Sequence, residues 1–157
     1  MRRTVMVLSL AVGVLGVAGC GGSSSSASSS KSVPSAAKGS RPARLYRLAL
    51  AGKAETPPGA PNGRGDAVIA IHGNSTVCWR FAHLHGFTNA TFAHIHLGTT
   101  GKSGNIVVPL STAPALHHQG CVPVSPVLVK AIEHNPRGYY VNIHSKKYPG
   151  GAVRAQL

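Results

Sequence analysis

The chain has 157 residues, and its 16 Lys and Arg residues outnumber its 3 Asp and Glu residues, so its formal net charge is +13. This length predicts a single domain, and a hydrophobic content of 43% is too high for a wholly disordered basic protein. Three scattered acidic residues are too few for the paired carboxylates of a glycosidase or for a carboxylate calcium site. Because aromatic residues make up only 5% and do not alternate with Lys and Arg, no nucleic acid partner is predicted.

Residues 1–19 have the pattern of a secretory signal peptide. Arg2 and Arg3 precede an apolar run at residues 5–18, which is shorter than the roughly 20 residues of a membrane-spanning helix. The sequence LGVAGC at residues 15–20 resembles the lipobox of bacterial lipoproteins, whose Cys is diacylated. We therefore expect Cys20 to be lipidated and its diacylglyceride to anchor the protein in the bacterial cell membrane, on the extracytoplasmic side. An ordinary secretory peptide that ends in Cys by chance is the alternative.

Residues 20–43, which begin with the expected lipidated Cys, are rich in Ser and Gly. This composition is typical of a flexible tether and cannot build a core. Its Lys and Arg residues favour a nearby anionic lipid or wall polymer, although a merely solvated linker has the same composition. The folded domain is predicted at residues 44–157.

The predicted domain shows mostly period-two alternation of apolar residues, which indicates about seven short strands. They are expected at residues 45–52, 66–73, 76–84, 91–98, 105–110, 139–145 and 151–157. The Pro- and Gly-rich segment at residues 55–66 is expected to be a loop. One short helix is predicted after Ser125, which suits an N-cap, with Pro126 in its first turn and Pro136 as its stop. The prediction is an all-β, antiparallel β-sandwich with one short helix.

Lipidation of Cys20 leaves two thiols, Cys78 and Cys121, in a compartment where disulfides persist. We expect them to pair, which would stabilise the domain by roughly 4 kcal/mol in the chain-entropy model. Two unpaired buried thiols are the alternative.

Three histidines have spacings that suit a metal site. His94 and His96 are two residues apart on a predicted strand, so both side chains project from one face. His144 shares a face with Tyr140 and Asn142 on a later strand and could join them. Three neutral imidazoles suit copper or zinc. The alternative is a buried hydrogen-bond network that joins the two strands.

Three segments resemble the hallmarks of the CHRD domain: ETPP at residues 55–58, AHIHLG at 93–98 followed by Gly101 and Gly104, and GYYVNIHSKKYPGGAVRAQL at 138–157. The resemblance covers residues 45–157. It implies an immunoglobulin-like or superoxide-dismutase-like sandwich and no generally established catalytic activity. Ala155 departs from the family pattern, which usually reads Arg-Gly-Gln-Leu at this point.

The sequence thus predicts a lipid-anchored envelope protein that is a non-catalytic binding or structural module, with an envelope protein or an anionic polymer as its partner. No catalytic residues are predicted, because no nucleophile is placed beside a base. The alternative is a copper or zinc protein, with redox activity, because the histidines are similar to the copper site of copper-zinc superoxide dismutases. That likeness implies that Arg154 could steer an anion. The further His and Asp ligands of the zinc half have no matching cluster here.

Overall fold

The structure is a computed structural model that describes residues 43–112 and 114–157. The expected signal peptide, the lipidation site at Cys20 and the tether as far as residue 42 lie outside the described residues. Within the described part of the chain, we find no helix with the length and apolar character needed to span a membrane.

Eight antiparallel strands make up most of the described domain. They are β1 (Arg44–Ala51), β2 (Arg64–His72), β3 (Thr76–His85), β4 (Ala90–Leu97), β5 (Ile106–Ser111), β6 (Gln119–Pro123), β7 (Tyr139–Ser145) and β8 (Val153–Gln156), and one helix, α1 (Pro126–His134), lies between β6 and β7. The strands form one sheet in the order β5-β4-β7-β8-β1-β2-β3-β6. Because β5 and β6 also approach each other, the sheet is nearly closed. The all-β antiparallel fold with one short helix is confirmed, as a single curled sheet.

The additional strand is β6, which the sequence pattern did not indicate. It is only five residues long, and Gly120 and Pro123 interrupt its apolar alternation. It pairs with β3 so that Cys121 lies directly opposite Cys78, and the two form the expected disulfide. The bond therefore fastens the end strand β6 to the body of the sheet.

The helix begins where its capping residue predicts. The Ser125 hydroxyl accepts a hydrogen bond from the backbone N–H of Leu128 at 3.1 Å, and Pro126 occupies the first turn. The helix ends at His134, before Pro136, and it buries Val129 and Ile132 against the sheet's core.

Alternate residues of the strands point into the curled sheet and form the apolar core. Ile95 on β4 and Val141 and Ile143 on β7 are fully buried there. The opposite face of β4, β7 and β8 is also buried, but it is polar and carries His96, Asn142 and Arg154. The loops that follow β1, β4 and β7 cover this polar face, which holds the predicted histidine cluster.

Candidate metal centre

The structure brings the three predicted histidines together. His94 and His96 come from β4 and His144 from the neighbouring strand β7, and one ring nitrogen of each lies within 4.8 Å of the others. His94 Nδ1 and His144 Nε2 lie 3.1 Å apart. Two nitrogens bound to one tetrahedral zinc ion at 2.0–2.1 Å stand about 3.3 Å apart, so this pair is close to a ligand spacing.

Two of the rings are held by backbone carbonyls. His144 Nδ1 lies 2.8 Å from the carbonyl oxygen of Pro149, and His96 Nδ1 lies 2.9 Å from that of Gly104. A ring that donates its Nδ1–H to a carbonyl keeps its Nε2 as the candidate ligand atom. This is how metal-binding histidines are usually oriented.

The cluster favours uncharged imidazoles. Burial, together with the smaller effects of the neighbouring His144 and His96 rings, lowers the pKa of His94 to about 4. Burial also lowers the pKa of His144, against the opposing effect of its hydrogen bond to Pro149. Both rings are therefore neutral near pH 7, which is the state that binds a metal ion.

His96 is the most enclosed ring of the three, with 7% of its surface exposed. It stacks on Tyr140 at 4.7 Å between ring centroids, with the planes nearly parallel. The guanidinium of Arg154 lies 3.3 Å from the centroid of the Tyr140 ring. His94 and His144 are only half-buried, so an ion can reach the cluster from their side.

Arg154 lies inside the polar layer, with 2% of its surface exposed. Its guanidinium donates to the carbonyl oxygens of Lys102 and Thr99 at 2.9 and 2.8 Å. These contacts tie the loop after β4 to β8 and hold Tyr140 against His96. Anion steering by Arg154 stays a prediction.

Glu55 was noted in the sequence only as part of a resemblance, yet its side chain belongs to the same layer. It is 6% exposed, and its Oε1 has no hydrogen-bond partner among the described residues. Burial raises the pKa of Glu55, a hydrogen bond from Asn142 and the charge of Arg154 oppose that rise, and the resulting pKa is about 7. The carboxylate fills the space beside Gly151, where any Cβ would collide with it. The two consecutive glycines at residues 150–151 are the sequence feature that could have indicated this close contact.

His83 lies apart from the cluster. Its ring is exposed, and its Nδ1 is 2.6 Å from Asp66 Oδ2 on the outer face of β2 and β3. The pair lines a groove of about 450 Å³, in which Arg47 of β1 and Arg80 of β3 also lie.

The sequence model of the CHRD domain matches residues 46–157. Comparison with curated proteins and with solved structures gives no match to this chain. The family match spans nearly the whole described domain and includes all three histidines of the cluster.

Proposed function

The chain belongs to the CHRD domain family, which supports a binding or structural role, and on that premise we propose that it is a lipid-anchored module of the bacterial cell envelope that binds copper or zinc. The ion is held by His94, His96 and His144. The module is non-catalytic: it binds the ion and presents it outside the cytoplasm.

One observation carries the metal proposal: three ring nitrogens from two adjacent strands converge within 4.8 Å. Neutral imidazole is a preferred ligand of both copper and zinc, whereas a hard ion such as calcium requires oxygen ligands. Three protein ligands leave a coordination position for water or for a group on a partner. The carbonyls of Gly104 and Pro149 supply the outer hydrogen bonds that orient two of the rings.

Metal analysis of protein purified without a His tag, followed by titration of the metal-free protein, tests this proposal. We expect one zinc or copper ion per chain and a metal-dependent rise in Tm. The stabilisation is about 2.7 kcal/mol when free metal exceeds Kd a hundredfold. The double variant His94→Gln and His96→Gln should lose it, whereas His85→Gln, on an exposed ring of β3, should keep it. A wild-type protein whose Tm does not respond to either metal contradicts the proposal.

The lipid anchor is supported by the sequence LGVAGC and by the short apolar run that precedes it. Two acyl chains at Cys20 would dominate membrane affinity, because each buried CH₂ contributes about 0.8 kcal/mol. Growth with a labelled fatty acid should mark the wild type and leave Cys20→Ser unmarked. An unlabelled wild-type protein, or label that persists in the variant, contradicts the anchor.

Binding of an anionic envelope polymer is a second candidate function, favoured by the groove on the outer face of β1, β2 and β3. Arg47 and Arg80 flank Val68 in the sheet register, and both side chains are exposed. We expect polyglutamate to bind in a salt-dependent manner and to lose affinity in the double variant Arg47→Gln and Arg80→Gln. The double variant Lys102→Gln and Lys146→Gln, which removes two positive charges from exposed side chains outside this groove, is the control. Equal losses of polyglutamate affinity in both variants would indicate that binding depends on the net charge of the protein and not on the groove.

A further inference from the structure

Two rows of side chains form the groove on the outer face of β1, β2 and β3. In the first row, Val68 lies between Arg47 and Arg80 in the sheet register. Adjacent strands are about 4.8 Å apart, so the Cα atoms of the two arginines are about 10 Å apart across Val68. Both guanidinium groups can therefore contact one carboxylate or phosphate group that lies over Val68.

The second row carries a negative charge. Asp66 is two residues from Val68 on the same face of β2, a separation of about 7 Å. Its neighbours in the register are Ala49 and Ala82, whose short side chains leave space beside the carboxylate. With 59% of its side chain exposed, Asp66 can accept a hydrogen bond from an ammonium group of a ligand.

A β-bulge directs His83 to Asp66. The register of β2 and β3 shifts by one residue between Arg64 and Asp66, so Gly65 alone faces His83 and Leu84. His83 has a φ angle of 51°, a left-handed conformation that few residues other than glycine adopt. Its Nδ1 consequently lies 2.6 Å from Asp66 Oδ2 on the outer face. Bulges often re-aim a side chain beside a functional site, and this one holds one carboxylate oxygen while the other can accept from a ligand.

The groove continues beyond Asp66 to a third arginine. A second cavity of about 350 Å³ shares Ala49, Asp66 and His83 with the first, and Arg64 also lines it. Arg64 is exposed and is two residues from Asp66 on the same face of β2. Positive, negative and positive groups therefore alternate along β2 at intervals of about 7 Å. A complementary ligand alternates anionic and cationic groups with a similar spacing.

We propose that this groove binds an envelope polymer whose units carry an ammonium group as well as an anionic group. The inference rests on the second proposed function, the binding of an anionic polymer in the same groove. Arg47 and Arg80 hold the anionic group, and Asp66 accepts a hydrogen bond from the ammonium group. A polymer that carries only anions places a negative charge beside the Asp66 carboxylate, which repels it. Asp66 therefore selects between the two kinds of polymer.

Two small probes test this selection in NMR titrations of the full-length protein. The extended chain of ε-aminocaproate separates an ammonium group from a carboxylate by a distance similar to that between the two rows. Caproate has the same chain and carboxylate but lacks the ammonium group. We expect ε-aminocaproate to bind about threefold more tightly, which is the contribution of an exposed ion pair. A wild-type protein that does not prefer ε-aminocaproate, whether it binds both probes equally or neither, overturns the inference.

Asp66→Asn removes the negative charge and keeps the shape of the side chain. If binding depends only on net charge, this substitution strengthens the binding of both probes equally and leaves their affinity ratio unchanged. We expect instead that the ratio falls from about three to about one, because the partner of the ammonium group is lost. A preference for ε-aminocaproate that survives in Asp66→Asn overturns the inference.

The double variant Arg47→Gln and Arg80→Gln separates this inference from the function on which it rests. It should lose affinity for both probes and for polyglutamate, because all three require the first row. If polyglutamate does not bind the wild type, or binds the double variant equally well, the proposed polymer binding is overturned. If polyglutamate binding depends on the two arginines but the probes are not distinguished, only the selection by Asp66 is overturned.

Discussion

Replacing Glu55 by Gln tests whether a buried carboxyl group makes the stability of this domain depend on pH. Glu55 lies in the polar layer, where one of its oxygens has no partner among the described residues. Gln has nearly the shape of a protonated Glu, and its carbonyl can still accept the hydrogen bond from Asn142. The substitution therefore removes the ionisation and retains the packing.

The sign and size of the effect follow from the pKa of Glu55, which burial raises from 4.5 to about 7. Below about pH 4 the carboxyl group is protonated in both the folded and the unfolded chain. Between these two pKa values the unfolded chain loses its proton while the folded protein retains it, so the free energy of unfolding falls as pH rises. At 1.36 kcal/mol per pKa unit, the total loss by pH 8 is about 3 kcal/mol.

Urea unfolding of both proteins between about pH 4 and pH 8, with EDTA present, measures this effect. Contributions from the histidines are common to both proteins and cancel in the difference. We expect the free energy of unfolding of Glu55→Gln, relative to that of the wild type, to rise by about 3 kcal/mol from the lowest to the highest pH of this range. A difference that is the same at every pH would show that the Glu55 carboxyl is not desolvated as the structure implies.

Two further predictions concern the cluster and the helix. The pKa of His94 is lowered to about 4, so the folded protein loses stability as pH falls from about 6.5 toward 4. In metal-free urea titrations over that window, His94→Gln should lose less free energy of unfolding than the wild type, and an equal loss in both proteins would contradict this. Ser125→Ala removes the hydrogen-bond acceptor for the N–H of Leu128 and should lower the free energy of unfolding by about 1 kcal/mol. Ser125→Asp keeps an acceptor at the N-cap and should retain most of this stabilisation. Equal urea midpoints for Ser125→Ala and the wild type would exclude a stabilising cap.

Period-two alternation was sufficient to predict that His94 and His96 share a face, because side-chain direction is local to a strand. Their distance to His144 could not be predicted in this way. It depends on the register between β4 and β7, which is shifted by an irregularity between Ala90 and Ala93. A bulge of this kind moves every later pair without leaving a clear mark in the composition.

Other features were missed because their cause is non-local. A disulfide requires the two Cα atoms to lie close together, so the expected pairing with Cys78 placed Cys121 near β3 but did not show that Cys121 belongs to a strand, β6. The role of Glu55 depends on three loops that close over the outer face of β4, β7 and β8. A lone acid in a Pro-rich loop does not reveal what will cover it.

The two interpretations of the histidines, a structural hydrogen-bond network and a metal site, describe different parts of the same arrangement. His96 is enclosed, stacks on Tyr140 and lies within hydrogen-bond distance of the Gly104 carbonyl, so its loss should destabilise the protein even when no metal is present. His94 is half-buried and its Nδ1 contacts only His144, so its loss should act mainly through the ion. The contacts of His96 and His144 Nδ1 with the Gly104 and Pro149 carbonyls would become the outer shell of the metal site. A structural role for His96 therefore supports metal binding by the cluster instead of excluding it.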